Sequence, residues 1–179
     1  MSSARRPFPF VRVATLIILA LVPAFSRVAR AEDPAPVTFV LNQNTLIVPT
    51  TVTYATGSDA VLPESAPALA HVAAYLAAKS YISLMRVEVH SDTDGNAAEQ
   101  QALTERRALA VARALVAQGV DCKRLIPVGF GGSKPVAAND TPDDKALNRR
   151  TVFVNVALRG TVIGGMPADG GGKVAGDPC

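Results

Sequence analysis

The stretch HSDTDGNAAEQQALTERRA, running from His90 to Ala108, gathers two closely spaced aspartates, a glycine, a polar run and an arginine pair. Three chemistries use such groups: a metal loop, a pair of acid–base carboxylates, and a cradle for a ligand that carries both charges. The metal loop fails on spacing. DTDGNAAEQQAL opens with acids at its first and third positions, but a calcium loop also needs glycine at the sixth and a bidentate acid at the twelfth. Ala97 and Leu103 stand there instead. His90 and Asp92 offer two transition-metal ligands without a third, because His71 lies on another segment. No metal and no other cofactor is expected.

Paired carboxylates fare little better. Asp92 and Asp94 share a turn, where their spacing sets no useful separation, and two-carboxylate hydrolases flank a bound sugar. The chain has no Trp to form a sugar platform. It shows no Ser–His–Asp or Cys–His arrangement, so a noncatalytic protein is expected.

The cradle rests on a helix argument. Leu103, Val111, Ala114 and Leu115 recur at spacings of three and four, the apolar stripe of a helix from about Ala97 to Gln118. Arg107 falls four after Leu103 and four before Val111, on that stripe. Arg106 points about 100° away, with Ala102 and Arg113. An inward arginine is costly unless it is paired or reaches a cleft. Gln100 shares the face of Arg107, and Asp92 precedes the helix start. A ligand carboxylate would take the planar fork of Arg107 while its ammonium takes Asp92. Alternatively, Asp92 and Arg107 bridge each other as a structural ion pair. The residues alone leave both open.

The elements that must position these groups follow from patterning. SLMRVEVHSD alternates, with Met85, Val87 and Val89 on one face and Arg86, Glu88 and His90 on the other: a strand with one buried and one wetter face. Strand propensity also marks Val52–Ala55, RLIPVGFGG and TVFVNVALRG. Leu69, Val72, Ala73 and Leu76 mark a helix over about 64–79, with Pro67 in its first turn. ANDTPDDKALNRR reads as a loop with one helical turn. The order strand, helix, strand, helix, strand, strand predicts an α+β two-layer sandwich, βαβαββ, with two helices on one face of a mixed sheet.

The ends are different in kind. Of the 18 basic residues, five arginines fall in residues 1–31, which hold no acid; the remaining 13 stand against 15 acids, a balance of −2. The basic character is therefore terminal, and nucleic acid is not an expected partner. Residues 1–31 have a positive start, an apolar run from Val13 to Phe25 and a small-x-small site at Ala29–Ala31, the pattern of an export signal. The run is shorter than the roughly 20 residues that span a bilayer, although an uncleaved anchor is the alternative. Residues 32–50 read as a β-rich extension and 160–179, with seven glycines, as a flexible tail. Cys122 and Cys179 are either bonded to each other, tying that tail down, or left as two thiols.

Residues VEVHSDTDG, EQQALTERRALAV, GVDCKRLIPVGFGG, PVAANDT and NRRTV, in this order, resemble the OmpA-like peptidoglycan-binding domain. The family runs approximately V-x-G-H-T-D-x-x-G, then Y-N-x-x-L-S-x-R-R-A, and closes on N-R-R-V. The likeness covers about residues 51–158, so the expected domain is 51–159. The resemblance implies noncatalytic binding of peptidoglycan through the diaminopimelate of the stem peptide, in the periplasm and in association with the wall or outer membrane. Asp92 would hold the ammonium and Arg107 the carboxylate. Ser91, Thr93 and Gln100 would line the slot, with Asn148 and Arg149 supporting it or beside it. Val89 replaces the usual Gly, Ser91 the usual Thr, and Glu99–Gln100 the usual Tyr–Asn. Other envelope proteins are further possible partners. The alternatives are a motor- or transporter-linked anchor in the inner membrane and, less favoured, a wall-modifying enzyme.

Overall fold

The computed structural model describes residues 37–165 and 167–179. The expected export signal and possible anchor, residues 1–31, therefore lie outside the described residues.

Strand β3 (Ile82–His90) forms the spine. It pairs in parallel with β4 (Leu125–Gly131) on one side and antiparallel with β5 (Thr151–Leu158) on the other. Helix α1 (Ala66–Ala78) leads into β3, and α2 (Ala97–Ala117) makes the crossover from β3 to β4. A parallel neighbour requires such a crossover, because a tight turn can only reverse the chain. Both helices bury their apolar stripes against one sheet face. Leu69, Val72 and Leu76 of α1 and Val111 and Leu115 of α2 meet Met85, Val87 and Phe153 in one core. The α+β sandwich and its two principal helices are as the sequence patterns predict.

Four features differ from expectation. The strand expected at Val52–Ala55 is a loop closed by one bridge, Tyr54 to Val61. The sheet position beside β5 goes instead to β2 (Thr45–Ile47), which forms a hairpin with β1 (Val40–Asn42). Both segments have strand propensity, and Leu46 buries completely opposite Phe153 whereas the Tyr54 loop packs at the sheet's end. Residues in the expected N-terminal extension thus complete the sheet. Residues Pro142–Asn148 form a capped two-turn helix, α3, in place of a single turn. The buried stripe of α2 runs through Thr104, Ala108, Val111, Ala112 and Leu115, which leaves Leu103, Arg107 and Ala114 half-buried at its margin.

The fourth difference is the largest. The second sheet face is covered, and the tail is ordered. After β5 a short strand β6 (Thr161–Val162) folds back, and residues 167–179 cross the outer face as a strap. Lys173–Val174 add to the far edge of β4 as β7, and Cys179 is bonded to Cys122 beyond the end of α2. Under the strap Arg86, Glu88 and His90 are all buried. Arg86 Nε donates to Glu88 Oε1 at 2.6 Å, His90 Nε2 lies 3.2 Å from Glu88 Oε2, and Arg86 Nη1 donates to the carbonyl of Ala168 at 2.9 Å. Gly170 sits so close that a Cβ there would lie 2.6 Å from the Arg86 guanidinium carbon, at a φ of +61°.

Candidate functional site

The chain leaves β3 under backbone control from both neighbours. His90 N–H donates to the Arg150 carbonyl and Ser91 N–H to the Gly131 carbonyl, each at 2.9 Å. This sets Asp92 in a recess at the strand's end. Its side chain is only 9% exposed, and both oxygens have protein partners. Oδ2 accepts from Arg149 Nη1 at 2.6 Å, and Oδ1 accepts from the Asp94 N–H at 3.2 Å. Gly132 permits the close packing, since a Cβ there would lie 2.8 Å from the Asp92 carbonyl oxygen.

The following turn is tightly tied. Asn96 caps α2 by accepting from the Ala98 and Glu99 N–H groups, and Gln100 donates to the Asp94 carbonyl. Lys145 of α3 reaches Asp94 at 2.7 Å. Thr93 is bound through both its N–H and its hydroxyl to Asn139. A cavity of about 310 Å³ opens here, lined by Asp92, Thr93, Asp94, Gln100, Gln101 and the Phe130–Ser133 turn among others.

Arg107 faces a different space. Its Nε donates to the Ser58 carbonyl at 2.8 Å, and its guanidinium lies 4.6 Å from the centre of the Tyr54 ring. Burial lowers the pKa of Arg107 against the favourable influence of Tyr54 and Asp59. Burial likewise pushes Tyr54 up to about 12, opposed by its hydrogen bond to Thr151 and by Arg107. Arg107, Arg149, Arg150, His90 and Tyr54 line a small cavity of about 40 Å³. Its two terminal nitrogens have no hydrogen-bond partner among the described residues.

Asp92 and Arg107 are therefore not paired with each other. Arg149 takes the carboxylate and also lines the cavity of Arg107, so the Asp92–Arg149 pair stands between the larger and smaller spaces. With its side chain 49% exposed, Arg149 has room to move, whereas Asp92 does not. The remaining expected residues divide. Thr93 and Gln100 line the larger cavity. Ser91 is buried with its hydroxyl unpartnered. Asn148 is fully buried and spends its amide on the 136–139 loop: Oδ1 accepts from the Val136 and Ala137 N–H groups, and Nδ2 donates to Ala137 and Asn139. It shapes the loop that carries Asn139 and presents no free group to a ligand.

Sequence reading missed Tyr54, Ser58 and Asn139. Tyr54 belongs to the segment expected as a strand and Ser58 to the loop that follows it, and nothing in their local pattern points toward α2. Among the described residues no group of three or more His, Cys, Asp or Glu is placed to hold a metal.

Residues 53–149, more than half the chain, match the OmpA family. The chain belongs to that family. The Probable lipoprotein YiaD of Escherichia coli is 37% identical over 106 residues, covering 59% of this chain and 48% of its own length. The peptidoglycan-associated lipoprotein of Burkholderia pseudomallei superposes with a TM-score of 0.53 at 30% identity, covering 58% of this chain and 87% of that one. The cell wall anchor of the T6SS from Pseudomonas aeruginosa superposes with a TM-score of 0.51 at 29% identity, covering 58% and 74%. The match thus spans about half of YiaD, while it takes in most of the two solved domains. The described part of this OmpA-family chain has no helix long and apolar enough to cross a membrane.

Proposed function

We propose that the protein is a noncatalytic anchor of the bacterial envelope that binds peptidoglycan through the diaminopimelate of the stem peptide. The observation that carries this reading is a buried carboxylate at a cavity mouth, bound to a half-exposed Arg149 that also lines the space where the terminal nitrogens of Arg107 lack partners among the described residues. The relatives described as a peptidoglycan-associated lipoprotein and a cell wall anchor support the same direction. In this reading residues 1–31 direct export, and the domain works in the periplasm at the wall or outer membrane.

The ligand's ammonium replaces Arg149 on Asp92, because a buried carboxylate needs a cationic partner at every stage. Arg149 then swings with its half-exposed side chain toward the carboxylate end of the ligand, where Arg107 offers its two terminal nitrogens. Gln100 and Thr93 border the path between them. A planar two-donor fork suits a carboxylate, so lysine is a poor substitute at position 107.

Co-sedimentation with purified sacculi tests the reading. Asp92→Ala and Arg107→Ala are expected to lose binding, Arg107→Lys to fail almost as badly, and the exposed neighbour Arg106→Ala to bind as wild type. Folding of the Arg107→Ala protein should weaken by about 1 kcal/mol, the worth of one hydrogen bond and one half-exposed cation–π contact. Sacculus binding by folded Arg107→Ala protein at wild-type strength overturns the assignment. Release of soluble fragments from the wall overturns the noncatalytic reading, and an intact Met1 in the membrane pellet replaces the exported form with an anchored one.

A further inference from the structure

The sheet has two outer edges, and they are treated differently. On the β4 side, β7 covers the edge and is held by the disulfide. On the other side the sheet ends at β1, whose outer edge has no strand beside it among the described residues. Natural sheets blunt such edges with lysine, other charges or proline within the strand, because a bare row of N–H and C=O groups pairs with any matching strand. This edge has neither charge nor proline within the strand, and its protection is limited to its shortness, three residues. From Pro34 to Ser58 there is not one charged residue, and β1 itself reads Val-Leu-Asn.

The side chains agree with the backbone. Val37, Val40, Leu41 and Ile47 are 58%, 56%, 45% and 47% exposed, and they occupy both faces of the hairpin. Leu41 continues into a groove of about 140 Å³ shared with Tyr81 and Leu158, themselves 44% and 37% exposed. Asn155 lines the groove with a buried Oδ1 that lacks a partner. Contiguous exposed apolar side chains at an open edge mark a candidate interaction surface.

We propose that the β1 edge pairs antiparallel with the β1 edge of a second copy of this chain, joining two sheets across a two-fold axis. The occupant is argued from charge. In an isologous pair each residue near the axis meets its own counterpart, so any charge there would face itself. A foreign strand would be selected by complementary charges, and the hairpin carries none to offer. An uncharged apolar edge is complementary to itself. Through β2 and β5, Leu41 and Asn42 stand level with Val87 and Arg86, and the axis lies beyond β1, with β2 and β5 between it and the strand that leads to Asp92. Pairing therefore leaves both ligand sites open, and the proposal does not depend on which ligand they take.

Single cysteines placed from Val37 to Asn42 in the full exported chain test it, because the two native cysteines are bonded to each other. Under mild oxidation a band at twice the chain's mass is expected, strongest at one position within Val40–Asn42 and weaker on either side. Arg106→Cys, on exposed α2, should give none. With Leu41→Cys as reporter, Val40→Lys or Val40→Glu alone should lose most of the band, and co-expression of the two should restore it. No band along the edge, a band of another mass, or a band insensitive to both charges overturns the proposal; the first would mean that the chain's own preceding residues or nothing at all covers the strand.

Discussion

The two faces of the sheet are closed by opposite chemistry. The helix side is apolar and continuous, and its residues are buried because they are better out of water. The strap side encloses an arginine, a glutamate and a histidine, with Val128 and Phe130 beside them, under a glycine-rich segment that has little apolar surface of its own. Helices cover a face through their side chains. A strap covers it through backbone: carbonyls for Arg86, a two-residue β-ladder for β4, and a covalent tie at the end. The first kind of closure follows from apolar area. The second depends on position, and without the tie its few contacts would compete with the chain entropy of a tail holding seven glycines.

That contrast is best broken at its strongest points. Leu115→Ala removes a fully buried side chain where α2 meets the sheet and should cost roughly 2–5 kcal/mol in chemical denaturation, with the whole domain losing stability. Cys122→Ser should cost about 2–4 kcal/mol by the same measurement. Its signature differs: hydrogen exchange should rise first in residues 167–179 and at the Arg86–His90 segment, while α1 and α2 stay protected at neutral pH. Uniform loss of protection would show that the two closures are one cooperative unit.

Acid sharpens the comparison further, because the strap side encloses Glu88 and His90. Burial lowers the pKa of His90, with Arg150 and Lys134 adding to the effect and Glu88 opposing it. For Glu88 burial acts upward, but the His90 hydrogen bond and the Arg86 charge outweigh it and hold the carboxyl low. Both folded-state values lie below the ordinary ones, so the unfolded chain binds the protons more readily. The stability these groups contribute is complete above about 6.5 for His90 and is lost as pH falls through its folded value. A second loss begins below about 4.5 as Glu88 protonates and leaves Arg86 without its partner. Melting followed from neutral pH downward should show both steps, and His90→Asn should remove the first alone. The smallest effect is expected from Arg106→Ala, exposed on α2, at under about 0.5 kcal/mol.

The site shows the same division between local pattern and long-range placement. Asp92 was legible because a strand's end and a helix's start lie on either side of it in sequence. Arg107 stood out because apolar spacing placed it on the stripe of α2, whereas it stands half-buried at the stripe's margin. Neither pattern contains the information that Arg149, far along the chain, is the guanidinium that Asp92 meets. Arg149 arrives through α3 and the turn into β5, and only the order of strands brings that turn beside the end of β3.

By itself the sequence determined the periodic elements: α1 and α2 from apolar spacing, β3 from alternation, and the family likeness from motifs that keep their order. These are local rules, set by 3.6 residues per helical turn and two per strand repeat. Tertiary structure alone decided which of two β-prone segments completes the sheet, which arginine neutralises Asp92, and whether the outer face is wet. Alternation in β3 distinguishes two faces but cannot say what covers them. Glycine-rich composition permits both a loose tail and a strap that fits against a guanidinium. Only the meeting of Cys179 with Cys122, at a separation of 57 residues, closes that choice, because it brings the chain's end back to a place no local preference names.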